Sequence, residues 1–415
     1  MIKAVEKIRL SVVNFVQEII KIPSLTGEEG ELARFLISKL KEIGIEESFI
    51  DAAGNVVGIL RGNGKGPNIM MNGHLDVVPA GNRENWQYEP FGAEIDEKGN
   101  IHGRGAADLK GGMAVQFYTM KLLKELVDRG FSLPGDVIFS QVVFEEAAEM
   151  LGMQYLCEKT LPEKKISFDV VYICEPTNLG VYLGHRGKVE IVVTTKGITA
   201  HSSTPRAGIN ALEKMVPVLD IVFNKMGSNM KSHPELGESS ITITNLLCRP
   251  GSLSIIPDEC EISIDRRYVP SETLESILEE FDQIFQDIKK KDPQFEVTVQ
   301  LRSFLEKSYT GYEKKVKKYH PVWITDKKNI FVQKTLTALK KVGQQPKIGY
   351  WRAGTDGSMS AGLMGIPTIG YSGMEEKYIH TPEERVNIDK MIQSLEGYVS
   401  IVCELLNIDI AQLDK

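Results

Sequence analysis

The chain has 415 residues, of which 42% are hydrophobic and 25% charged, and a formal net charge of −7. That length exceeds what one hydrophobic core organises, so two domains of ordinary globular composition are expected. The acidic balance argues against nucleic acid or an anionic membrane as partner, since Lys314–Lys318 is the one short basic run, and no apolar stretch approaches the roughly 18 residues of a membrane span. Five cysteines, odd in number and without Cys-x-x-Cys spacing, read as reduced thiols of a cytoplasmic protein.

The opening decapeptide mixes acidic residues into an amphipathic pattern and reads as the start of a helix over 5–21, not as a signal peptide. Helical periodicity returns at 28–43 and 112–128, and apolar strand runs lie at 56–60, 68–73, 137–144 and 170–174. This alternation predicts a mostly parallel sheet with helices on both faces. Ligands bind open sheets of this kind outside the carboxyl ends of the strands, which is where chemistry-bearing residues accumulate here.

His74-Leu-Asp76 follows the run Asn68–Gly73, with Gly73 allowing a close turn. An imidazole at that place suits a metal, with its second nitrogen held by a nearby partner; Asp76 is placed to do this or to steer a neighbouring group. Asp108 lies in Gly103-Arg-Gly-Ala-Ala-Asp, before a helical pattern starting near Gly112. It reads either as a helix cap or as a carboxylate that bridges two ions. Glu145-Glu146 ends the apolar run Val137–Phe144, where idle carboxylates are costly. Adjacent residues project differently, so one can ligate a metal while the other acts as general base. Glu149 is expected at the surface. Glu175-Pro-Thr ends another buried run.

The middle of the chain changes character. Strands are expected at Lys188–Thr195, Ser240–Leu247, Cys260–Tyr268 and Phe295–Leu301, with helices at Ile209–Met226 and from an N-cap at Ser271 to about 290. The order βαββαβ is that of a ferredoxin-like unit, inserted into the outer domain because sheet-like runs return at 347–350 and 366–371. Alternation along Glu261–Tyr268 places Ile262, Ile264 and Arg266 on one face and Arg267 with Ser263 and Asp265 on the other. The stretch 303–328 lacks a clear period and is long for a loop, which suggests that it lines a site. His380 opens His-Thr-Pro-Glu-Glu, read as a helix start with Thr381 as N-cap, Pro382 at N1 and Glu384 completing a capping box. A last helix is expected over 387–406.

In this order the motifs resemble the metallopeptidase and deacylase family M20, which contains acetylornithine deacetylase, succinyl-diaminopimelate desuccinylase and carboxypeptidase G. The segments that carry the resemblance are Lys21-Ile-Pro-Ser-Leu-Thr-Gly-Glu-Glu, Gly73-His-Leu-Asp, Gly-Arg-Gly-x-x-Asp-x-Lys-Gly-Gly, Glu-Glu, Glu-Pro-Thr and the late His. Cys-Glu-Pro-Thr-Asn, Gly-His-Arg-Gly, Ser-Ile-Asp-Arg-Arg and Ser-Tyr-Thr-Gly are most similar to a branch associated with selenium metabolism. The resemblance implies an α/β, mixed-sheet, zinc-exopeptidase-like catalytic domain (1–186 and 306–415) with an inserted ferredoxin-like lid and dimerisation domain (187–305). It implies two divalent ions, most often zinc, with cobalt or manganese also suited to such ligands. Asp108 would bridge them, with His74 and Glu175 on one ion and Glu146 and His380 on the other. Asp76 would orient His74, and Glu145 would be the general base and acid. His201 would serve the partner subunit's site by stabilising an oxyanion. Arg267, with Arg352 as second candidate, would clasp a substrate carboxylate. Two departures stand out: Phe144 replaces the usual Asp before the Glu pair, and Ser254-Ile-Ile-Pro replaces Asn-x-Ile-Pro, which alters a substrate or oxyanion contact at Ser254.

The function expected is therefore a homodimeric two-metal amidohydrolase acting on a small N-acyl amino acid. The same centre could run a metallo-dipeptidase or aminopeptidase, although no residue identifies itself as a partner for a free α-amino group. A retired binding protein on this scaffold would show a broken ligand set, whereas all five ligand candidates and Glu145 are present.

Overall fold

Two separate sheets, each with its own apolar packing, organise the computed structural model, which describes residues 2–148 and 150–414. The expectation for Glu149 lies outside the described residues. The larger sheet has nine strands. Its centre is parallel: Ile69–His74 runs between Val137–Val142 and Val170–Ile173, and Thr368–Tyr371 continues the parallel run. Toward the edges the pairing turns antiparallel, at Val56–Leu60 on one side and at Val181–His185 on the other. The sheet is thus mixed, more so than helix–strand alternation alone predicts.

The central strands are buried on both faces, which explains their continuous apolar runs. Met71, Phe139 and Tyr172 pack into a core with the helices Lys3–Ile20, Gly111–Asp128 and Ile388–Leu405. Met70, Ile138 and Val171 face a smaller core on the opposite side.

The smaller sheet is antiparallel, in the order Ser240–Arg249, Glu259–Tyr268, Gly187–Lys196, Glu296–Leu301. With the helices Ala211–Ile221 and Leu274–Lys291, the chain order is the expected βαββαβ. Ile262 and Ile264 pack with Met215 and Phe281 beneath those helices. Arg266 shares that buried face and is ion-paired to Glu272, whereas Arg267 turns to the polar face and is held by Asp265. The second helix starts two residues later than expected: Thr273, not Ser271, forms the capping box, with Ser276. The stretch 303–328 is not structureless. It forms the hairpin Ser303–Lys307 with Glu313–Lys317, and two short strands that join one sheet each. Strands this short, five residues each in the hairpin and two in each of the others, leave no periodic apolar signal to read.

Candidate metal centre and catalytic cleft

The parallel register aligns the strand ends. His74 lies opposite Val142, and Asn72 opposite Ile173. Glu145 and Glu146 follow the strand Val137–Val142 and Glu175 the strand Val170–Ile173, so all three emerge beside His74 at the carboxyl ends of the central strands. His74 Nε2 is 3.1 Å from Asp108 Oδ1 and 3.3 Å from Glu175 Oε1. His380 Nε2 is 3.0 Å from Glu146 Oε2 and 3.4 Å from Asp108 Oδ2. The two oxygens of Asp108 therefore face one imidazole each. Donor atoms of His74, Asp108 and Glu146 lie within 4.8 Å of one another, and so do those of His74, Glu145 and Glu175. Imidazole nitrogens and carboxylate oxygens at such spacing are a donor set that fits a pair of borderline divalent ions.

Asp108 is positioned by its main chain. Buried Glu384 accepts the N–H groups of Ala107 and Asp108, both at 3.1 Å, and is ion-paired with Arg104. Gly105 reaches the preceding turn at φ +83, where a Cβ would approach Val77 to 2.7 Å. The helix Gly111–Asp128 begins beyond Asp108 and takes no side-chain cap from it, so the capping reading of this residue does not hold. Gly73 fits His74 against its surroundings, since a Cβ there would lie 2.6 Å from Gln141 Oε1 and 2.8 Å from Cys174 Sγ.

Asp76 divides its work between main chain and side chain. His74 Nδ1 bonds the Asp76 carbonyl oxygen at 2.8 Å, while the carboxylate stands 3.7 Å away. The carboxylate instead accepts the N–H groups of Glu145 and Glu146, each at 3.0 Å, and the Thr26 hydroxyl at 2.9 Å. It thus caps the short helix Glu145–Ala148 and sets both glutamates.

The capping box proposed around His380 is absent. Thr381 Oγ1 donates to the Tyr378 carbonyl at 2.8 Å, and the last helix starts at Ile388 with Asn387 as N-cap. Glu384 is drawn inward by Arg104, a contact across the fold that local sequence cannot announce. His380 sits on this turn with φ 58 and remains half-exposed.

Crowded carboxylates set the electrostatics. Burial, then Glu175, pushes the Glu145 carboxyl well above the ordinary range. Burial and Asp108 raise Glu146 to about 7 and Glu175 to about 7. For Asp108 burial acts upward, but hydrogen bonds from His380 and His74 hold it low. Hydrogen bonds to Asp108 and Glu146 raise His380 to about 10. For His74 burial acts downward, but bonds to Asp108 and Glu175 carry it well above the ordinary imidazole value. Carboxylates crowded in this way favour positive charge among them.

Glu145, Glu146 and His380 open onto a cleft of about 720 Å³ whose far wall carries Arg186, Lys188, Arg267 and Arg352. Arg267 and Arg352, singled out from sequence, lie in this cleft. His201 and Ser254 do not: they are exposed and neighbour each other, with Ser202 N–H donating to the Ser254 carbonyl at 3.0 Å. Sequence reasoning missed Asp356, a fully buried carboxyl pushed up to about 6 by burial and bonded by Asn72 at 2.9 Å. Its signal was present, since Thr-Asp-Gly follows the strand Ile348–Trp351.

The family model described as Peptidase family M20/M25/M40 matches residues 70–406. The Escherichia coli K12 protein named "Uncharacterized protein YgeY" is 30% identical over 390 residues, covering 93% of this chain and 92% of its own. The N-formyl-4-amino-5-aminomethyl-2-methylpyrimidine deformylase of Halalkalibacterium halodurans is 28% identical, over 84% of this chain and 82% of that protein. Among solved structures, the YXEP protein of Bacillus subtilis, described as a dinuclear metal-binding peptidase of family M20, superimposes with a TM-score of 0.72 at 16% identity, covering 97% of this chain and 100% of that one. The chain belongs to peptidase family M20/M25/M40, whose members are metal-dependent hydrolases of amide bonds.

Proposed function

We propose that this M20 hydrolase is a two-metal deacylase that cleaves the amide bond of a small N-acyl amino acid or related compound. The observation that carries the reading is Asp108, whose two oxygens face His74 and His380 separately. In this reading Asp108 would be the ligand shared by two divalent ions, zinc in the first instance with cobalt or manganese as substitutes; His74 and Glu175 would complete one ligand set, and Glu146 and His380 the other. When bound, the ions supply Lewis-acid polarisation of the amide carbonyl and lower the pKa of water. Glu145, which bonds neither imidazole, takes the proton of the attacking water and delivers it to the leaving nitrogen. Its buried, anion-crowded setting favours holding that proton between the two transfers. Asp76 positions Glu145 through its N–H, and Arg267 and Arg352 bind a substrate carboxylate. A cleft wall of four cations against one carboxylate, Asp265, disfavours a free α-ammonium group, which is why the deacylase reading stands ahead of the aminopeptidase one.

We assign the catalytic domain to 1–186 and 306–415 and the lid to 187–305. We further propose that the lid forms a homodimer and that the protein is cytoplasmic; no helix of the described residues is long and apolar enough to cross a membrane. Support for the dimer comes from the edge strand Ser240–Arg249, which exposes Leu246 and Leu247, and from exposed Leu212, Val216, Phe223 and Leu253 nearby in the chain. His201 and Ser254, outside this chain's own cleft, would then reach the partner's. The test is Glu145→Gln, which should abolish hydrolysis of N-acyl amino acids while two metal ions per subunit are retained. Substantial remaining turnover would refute the role. Mixing His201→Ala and Glu145→Gln subunits should restore activity in heterodimers if His201 acts across the interface.

A further inference from the structure

Opposite the metal-ligand cluster, the strand register builds a row of side chains across the smaller sheet. Ser240 pairs with Arg267, Arg267 with Lys188, and Lys188 with His320, and all four line the cleft. Directly opposed like charges such as Arg267 and Lys188 destabilise a sheet, so the row needs counter-charge. The sheet supplies part of it. Asp265 takes two donors of Arg267, at 2.8 and 3.2 Å, and Glu190 lies 2.8 Å from Lys188.

Arg186, two residues before Lys188, is left differently. It is half-buried, lines the same cleft, and donates from Nη1 to the Glu238 main-chain carbonyl at 2.5 Å. Among the described residues no carboxylate lies within ion-pair distance of Arg186 or of Arg352; Asp265 attracts Arg186 from beyond that distance, and Glu376, which interacts with Arg352, does not line the cleft. Burial, then Arg267 and Arg352, act against the charge of Arg186, and Asp265 offsets only part of this. His320 in the row and buried His185 beside it are kept neutral by burial and by nearby cations, so they add no charge. A half-buried guanidinium facing two others is costly unless a ligand brings negative charge to it.

We propose that the substrate amide carries two anionic groups, one held by Arg267 and Lys188 in the cross-strand row and the second by Arg186 with Arg352. The inference rests on the deacylase reading and narrows its substrates to small amides bearing two carboxylates. Arg186 is then a specificity-determining residue.

Two matched substrate pairs test it: N-acetyl-L-glutamate against N-acetyl-L-glutamine, and N-succinyl-L-alanine against N-butyryl-L-alanine. In at least one pair the dianion should have a kcat/KM about tenfold higher or more, carried mainly by KM, and the pair affected tells on which side of the amide the second charge sits. Arg186→Gln should bring that ratio below about threefold, and Arg186→Lys should keep most of it. Ratios near one in both pairs, or a ratio unchanged in Arg186→Gln, would overturn the proposal. Calorimetric titration of the metal-loaded protein with glutarate and with butyrate gives an answer that needs no turnover. Glutarate should bind about tenfold tighter or better, with the preference lost in Arg186→Gln. Equal binding of the two acids overturns the proposal, whereas a glutarate preference without hydrolysis of any amide overturns the deacylase reading instead.

Discussion

Replacing Asp76 by Asn separates two roles that the residue could have near His74. The carboxylate accepts the N–H of Glu145 and of Glu146, both at 3.0 Å, inside a fully buried site. Asparagine keeps one oxygen, so one of these N–H groups faces an NH2 and loses its acceptor. A hydrogen bond to a charged group is worth about 1.5–3 kcal/mol. Part of that loss is offset, because Asp76 also repels buried Glu29, whose carboxyl is raised to about 8 by burial and then by Asp76. The net cost in stability should be about 1–2 kcal/mol by urea unfolding. Turnover should fall by about tenfold or more, since small misplacements of a general base are expensive. Metal binding on the His74 side should hardly change, because Nδ1 is held by the Asp76 main-chain carbonyl, which the substitution leaves in place. The assay is zinc titration of chelator-stripped protein in a His380→Ala background, where the remaining ion reports the His74 side. A change below about threefold is expected, while a partner that truly orients a ligand costs roughly 10–100-fold. A loss of that larger size, with stability and the pH profile untouched, would refute the division of roles.

Two further outcomes follow from the buried charges. Glu29 has a folded pKa of about 8 against an ordinary value of 4.5, so its contribution is fully present below pH 4.5 and is lost as pH rises toward 8. Glu29→Gln should therefore stabilise the protein by roughly 2–4 kcal/mol at pH 8 and by little at pH 5, read from thermal melts at both values; a gain independent of pH would contradict this. The metal-free His380 imidazole, at about 10, holds a proton at pH 7 that a ligand must lose, so metal uptake should release at least one proton and tighten as pH rises. Calorimetry in buffers of different ionisation heat measures that release, and uptake without it would be inconsistent with His380 as a ligand.

The amino-acid sequence by itself determined most element types outside 303–328, the βαββαβ order of the middle segment, the family and the residues gathered at the strand ends. It could do so because each signal is local: an apolar run, its period, and a costly carboxylate or imidazole where the run stops. The same locality misled at His380, where Thr-Pro-Glu-Glu has the composition of a helix start but Glu384 is drawn inward by Arg104, 280 positions away in the chain. Only the tertiary structure decided that the main chain of Asp76 holds His74 while its side chain sets Glu145 and Glu146. Only the register of the smaller sheet lined up Arg267 with Lys188 and brought Arg186 to the same cleft. Metal-ligand chemistry is written in residue type and strand position, whereas charge complementarity to a substrate arises from cross-strand neighbours, and those exist only once the sheets have formed.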